Sequence, residues 1–169
     1  AWHFLVTGRR LERITFICSI IAVLLRQPEP EREAALGALL EIGNTIITYR
    51  ARYQRQPELL PVLDLLALDE ANPHAVCFQL AALCQELETF DKRLGFRPHN
   101  DPRPLLQALR SFDLDLLEPA RPLPEPASFG EALSSLLAAC EQRAYGLSDE
   151  IAQRFFVHAG ERAQASVAA

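Results

Sequence analysis

The stretch from Trp2 to Arg26, WHFLVTGRRLERITFICSIIAVLLR, most constrains what this chain can fold into. Read as a helix at 3.6 residues per turn, one face collects Trp2, Leu5, Val6, Phe16, Ile17, Ile20, Val23 and Leu24. The opposite face collects Leu11, Ile14, Cys18, Ile21, Ala22 and Leu25. A helix apolar on both sides is normally buried on both sides. The most apolar run, Ile14 to Leu25, spans about 12 residues, well short of the ~20 that cross a bilayer. The segment therefore predicts a central core helix that the rest of the chain covers, and no membrane span.

Three charges interrupt this pattern. Arg9, Glu12 and Arg13 fall on the first face, with Arg9 near its centre. An unpaired buried charge costs several kcal/mol, so charges placed there must be paired and hydrogen-bonded. Arg9 stands three residues from Glu12 and four from Arg13, which makes them neighbours on a helix surface. Two readings follow. One is a buried Arg-Glu-Arg network that fixes how neighbouring helices register. The other is an anion or carboxylate site on a bundle wall. Structural ion networks are a common source of such clusters.

The remaining chain is helical in pattern, with no strand-like alternation. A second helix is expected over about 31–54, with Glu31 and Glu33 in its first turn favouring the helix dipole. Its apolar stripe includes Gly43, where the missing side chain signals close helix approach. Near its end Tyr49, Arg50, Arg52 and Tyr53 gather aromatics and cations. A short helix follows over 58–68. Asp69-Glu70-Ala71-Asn72-Pro73 then forms a junction in which Asn72 reads as an N-cap and Pro73 as the first helical residue. Further helices are expected over 73–94, 105–117 and about 128–158. The Pro-rich stretches 95–104 and 118–126 separate them as loops, and 159–169 reads as a disordered tail. The fold class is all-α, an up-and-down bundle of five to six helices in one domain over 1–158.

Composition narrows the function classes. The 169 residues are 49% hydrophobic and 23% charged, a globular profile. The net charge of −5 argues against a general nucleic-acid surface. Cys18, Cys77, Cys84 and Cys140 lie in apolar helical stretches without a CxxC pair, as buried reduced thiols of a cytoplasmic protein do. No His stands at ligand spacing from any Cys, so no metal site is expected, and nothing implies a cofactor. The chain starts at Ala1 and contains no Met, which points to an excerpt of a longer protein. There is no Gly-rich phosphate loop, no GxSxG elbow and no Glu-x-x-His repeat of a di-iron bundle.

Four separated segments carry a resemblance. They are Trp2-x-Phe4-Leu5-x-x-Gly8-Arg9-Arg10-Leu11-Glu12-Arg13; Ile47-Thr48-Tyr49-Arg50-Ala51-Arg52-Tyr53 with Pro61-Val62-Leu63-Asp64-Leu65-Leu66 after it; Leu68-Asp69-Glu70-x-Asn72-Pro73-x-x-Val76-x-Phe78-Gln79-Leu80; and Leu147 to His158. In order and spacing they resemble the second half of the alpha-E family, a bacterial helical domain named for a Glu-Arg motif. The chain departs from that pattern at His74 and Ala75, where the family often has Arg and Ser. Family members are encoded beside, or fused to, circularly permuted ATP-grasp ligases, often near transglutaminase-like peptidases. The resemblance therefore implies a partner role in ATP-dependent amide-bond formation, peptide synthesis or peptide tagging, with a peptide or amino-acid substrate. It carries over no catalytic residues.

The candidate polar site comprises Arg9, Glu12, Arg13, Tyr49, Arg50, Asp69, Glu70 and Asn72, expected to face one another inside the bundle. Three functions compete. The leading one is a helical accessory or substrate-handling domain for an ATP-grasp amide ligase, in which Arg9, Arg13 and Arg50 bind a carboxylate. The second is a structural or protein-interaction module with no direct role in chemistry. The third, an enzyme using Glu12 or Glu70 as a base, lacks any visible nucleophile or metal.

Overall fold

The computed structural model describes residues 2–114 and 130–157, and every regular element among them is helical. The elements are α1 (Trp2–Leu25), α2 (Glu29–Ile42), α3 (Ile46–Tyr53), α4 (Leu59–Leu63), a π turn (Asp64–Leu68), α5 (Val76–Leu94), α6 (Arg103–Arg110) and α7 (Glu131–Phe155). The all-α expectation holds. The expected linker 118–126, His158 and the tail 159–169 lie outside the described residues.

Helix α1 is the central element, packed against α7, α5 and α2. Its burial is one-sided, however. Leu11, Ile14, Cys18 and Ile21 are buried, while Leu5, Phe16 and Val23 on the other face are 49%, 48% and 56% exposed. Arg9, Glu12 and Arg13 are exposed as well. This corrects the expectation of a helix covered all round with an internal ion network. Desolvating three charges costs more than the flanking apolar residues return, so the uncharged face turns inward.

The helix count rises because two expected helices are divided. The segment 31–54 breaks at Gly43, Asn44 and Thr45. Asn44 adopts φ 56°, and the buried Thr45 returns its N–H and its Oγ1 to the Leu40 carbonyl. Gly43 does mark a close approach, but at a helix end. A Cβ there would lie 2.8 Å from Leu66 Cδ2 and 3.1 Å from the Leu39 carbonyl oxygen. The segment 58–68 ends in the π turn, whose wider winding carries Leu65, Leu66 and Ala67 into the core. Helix α6 stops at Arg110, short of the expected 117. All four cysteines are buried and unbonded.

Candidate functional site

The outward stripe of α1 forms one wall of an open groove of about 890 Å³. Trp2, Val6, Arg9, Arg10, Arg13 and Phe16 line this wall, together with Glu12. The facing wall is built from two turns: Ile42 and Asn44 from the α2–α3 break, and Pro73 and His74 from the approach to α5, with Gln79 on α5 itself. The groove exists because both turns interrupt helices that would otherwise run straight. The left-handed φ at Asn44, which Asn tolerates better than most residues, brings its carboxamide to the groove edge.

Asn72 holds the second turn. It is 3% exposed. Its Nδ2 donates to the Leu65 carbonyl at 2.7 Å, and its Oδ1 accepts from the His74 N–H at 3.1 Å. This corrects the N-cap reading: Asn72 closes a turn, and α5 starts at Val76 after Ala75. A single side chain therefore ties the π turn to the residue that faces Arg13.

His74 Nδ1 lies 2.7 Å from Arg13 Nη1. A guanidinium only donates, so Nδ1 is the acceptor and the imidazole proton sits on Nε2. Burial, and then the Arg13 charge, hold His74 below the ordinary imidazole range. Nε2 stands 3.4 Å from the Asn44 amide. A protonated Nε2 is best served by the Asn44 oxygen turned toward it. His74 is thus a neutral acceptor that ties the Arg13 guanidinium to the second turn.

The other groups of the groove are only partly satisfied. Arg10 Nη1 donates to Gln79 Oε1 at 3.3 Å, and Gln79 Nε2 donates to the Pro73 carbonyl. Arg10 Nε is buried and has no acceptor among the described residues. An unmet buried donor costs about 1–3 kcal/mol. The Arg9 and Glu12 side chains have no polar partner among the described residues, and the Arg9-Glu12-Arg13 cluster contains no internal ion pair. Arginine is suited to planar, bidentate capture of a carboxylate.

The remaining expected site residues do not join this cluster. Tyr49 is fully buried, its hydroxyl donating to the Gln56 carbonyl at 3.1 Å and accepting from the Glu58 N–H at 3.0 Å. It brackets the α3–α4 connection. Arg50 lines a separate cavity of about 470 Å³ that it shares with Glu33, Glu41 and Arg55. Asp69 accepts from Arg52 at 2.7 Å and from the Ala71 N–H at 2.8 Å. Both Glu70 oxygens are taken by Arg110 at 2.7 Å, which holds that carboxyl below its usual range. A carboxylate so engaged is a poor general base. The expected single constellation is therefore split: Arg9, Glu12 and Arg13 in the groove, Asn72 beneath it, Tyr49 and Arg50 elsewhere, and Asp69 and Glu70 in surface ion pairs.

Four polar groove residues lie outside the expected set: Arg10, Asn44, His74 and Gln79. Arg10 sits at the edge of the charged stripe, about 60° from Arg13 on the wheel. Nothing in the sequence pairs Asn44 with His74, because that contact depends on two turns thirty residues apart. Among the described residues no three His, Cys, Asp or Glu side chains gather as metal ligands, and no helix is long and apolar enough to cross a membrane.

The sequence contains the Glu-Arg pair three times, at 12–13, 31–32 and 161–162. The first lies in the groove and the second does not, while 161–162 lies outside the described residues. No curated protein and no solved structure matches the chain. Residues 1–156 match the family described as "a predicted alpha-helical domain with a conserved ER motif", and the chain belongs to that family, Alpha-E.

Proposed function

We propose that this chain is a helical accessory or substrate-handling domain that acts with an ATP-grasp amide-bond-forming ligase, in bacterial peptide synthesis or peptide tagging. The ATP and the bond-forming chemistry belong to the ligase. The helical domain presents the substrate, and it represents the second half of a longer alpha-E region working in the cytoplasm. The observation that carries this reading is the pair of side chains without polar partners among the described residues, Arg9 and Glu12, beside an Arg13 tied to His74 in an open groove. A registry network would have closed these charges on one another. Glu12-Arg13 is read as the family's Glu-Arg pair.

The test is reconstitution with the ATP-grasp ligase encoded nearest to this chain, following ATP-dependent amide product by mass spectrometry. Arg9→Ala and Glu12→Ala are expected to abolish product while leaving the helical circular dichroism and Tm unchanged, since both side chains are exposed. Full product yield from both variants would overturn the proposal.

A second reading, a protein-interaction module, is favoured by Trp2 at 66% and Ile42 at 57% exposure on the two groove walls. It predicts that Trp2→Ala weakens capture of the ligase, while Arg9→Ala leaves that capture intact.

A further inference from the structure

We infer that the groove takes the carboxyl-terminal end of a peptide whose last residue is apolar. This rests on the reading of the groove as a substrate-handling site, and it names the substrate class.

Three features of the walls carry the inference. The first is charge. Arg9, Arg10 and Arg13 stand against one carboxylate, Glu12. Arg9 has no polar partner among the described residues, and the Arg10 guanidinium gives one hydrogen bond, Nη1 to Gln79. A terminal carboxylate supplies planar acceptors to this set.

The second is Glu12. It sits one residue from Arg13 and three from Arg9, with no donor of its own among the described residues. A polyphosphate or nucleic-acid backbone would meet this carboxylate with like charge, and every added phosphate would worsen the repulsion. A peptide terminus brings a single carboxylate followed by a backbone N–H, which Glu12 accepts. The groove therefore matches one negative charge next to one donor.

The third is the apolar wall. Trp2, Phe16 and Ile42 are 66%, 48% and 57% exposed around the same opening. Aromatic and branched side chains left in water beside cations gain by covering an apolar side chain of the ligand. Phosphate ligands make no use of such a wall. The groove volume, about 890 Å³, lies within the ~300–1,000 Å³ of small-ligand sites, enough for a few terminal residues and not for a folded partner.

The experiment titrates the chain, by isothermal calorimetry at low salt, with acetyl-Ala-Leu-Phe carrying a free carboxylate. The same peptide ending in an amide, acetyl-Ala-Ser-Asp, and tripolyphosphate are titrated alongside. The free acid is expected to bind at least tenfold more tightly than its amide and than acetyl-Ala-Ser-Asp. Arg9→Ala combined with Arg13→Ala is expected to weaken it at least tenfold at unchanged Tm. Phe16→Ala is expected to erase the preference for Phe over Asp and to keep the preference for acid over amide. Equal binding of acid and amide overturns the inference, as does tighter binding of tripolyphosphate or no binding of any probe.

The reconstitution assay keeps the two claims apart. If product depends on Arg9 and Glu12 while acid and amide peptides bind alike, the ligase role stands and the substrate class is wrong. If the acid peptide binds as expected and ligation ignores Arg9, the class stands and the ligase role is wrong.

Discussion

Asn72→Ala tests the link between core and groove. Asn72 makes two hydrogen bonds, Nδ2 to the Leu65 carbonyl at 2.7 Å and Oδ1 from the His74 N–H at 3.1 Å. A typical intramolecular hydrogen bond contributes about 1 kcal/mol net, and a buried partner left unmet costs about 1–3 kcal/mol. Leu65 is fully buried, so its carbonyl has no easy route to water. Together these give a loss of about 2–4 kcal/mol. For a chain of this size ~1 kcal/mol moves Tm by about 2–4 °C, so a fall of about 5–15 °C is expected in a thermal melt followed at 222 nm. Asn72→Asp sharpens the test. It keeps the acceptor for His74 but turns a carboxylate toward the Leu65 oxygen. At pH 7 it should be at least as damaging as Ala, and its deficit relative to Ala should shrink on acidification, when a protonated carboxyl donates again. A loss below about 0.5 kcal/mol for Ala, or an Asp variant that fares better at pH 7 than in acid, would refute the role assigned to Asn72.

Other expectations follow from single residues. Gly43→Ala should destabilise by about 0.5–2 kcal/mol, overpacking against fully buried Leu66 outweighing the gain in helix propensity, whereas Gly8→Ala, with open space at its Cβ, should stabilise by about 0.5–1 kcal/mol in urea titrations. His74 has a folded-state pKa below its unfolded value, so the neutral form stabilises the fold. That contribution is complete above the unfolded pKa of ~6.5 and is lost as pH falls through the folded value; comparing His74→Asn with the parent between pH 5 and 7.5 should show the parent's advantage only at the upper end. Burial pushes the Cys77 and Cys84 thiols up to about 11, a hydrogen bond with Cys140 and then burial raise Cys18, and Cys140 is itself buried, so a thiol reagent at pH 8 should titrate none in the native protein and all four in guanidinium. Glu70→Gln breaks an exposed ion pair and should leave the urea midpoint within error, with no change in groove binding.

The all-α fold is legible because the helical period of α5 and α7 is clear and needs no partner to be recognised, and because no stretch alternates as a strand would. The direction in which α1 faces was not legible. Its two apolar faces are nearly equal in hydropathy, and only the cost of desolvating Arg9, Glu12 and Arg13 together decides between them. The breaks at Asn44 and in the π turn were also hidden, since Gly43 reads equally well as a mid-helix contact or a helix end. Asn72 carries a side-chain oxygen near a helix start, as a cap would, but that oxygen serves a turn. The grouping of Tyr49, Asp69 and Glu70 with the arginines failed because their partners, Gln56, Glu58, Arg52 and Arg110, are set by tertiary packing.

The most direct test of the groove is arginine side-chain NMR. With Arg-selective ¹⁵N labelling, the Nε–Hε signals of Arg9, Arg10 and Arg13 are followed while acetyl-Ala-Leu-Phe with a free carboxylate is added. Saturable shifts are expected at these three. Arg52 and Arg110, already held by Asp69 and Glu70, should stay still. Shifts confined to Arg50 and Arg55 in the second cavity, or no shifts at all, would contradict carboxylate binding in the groove.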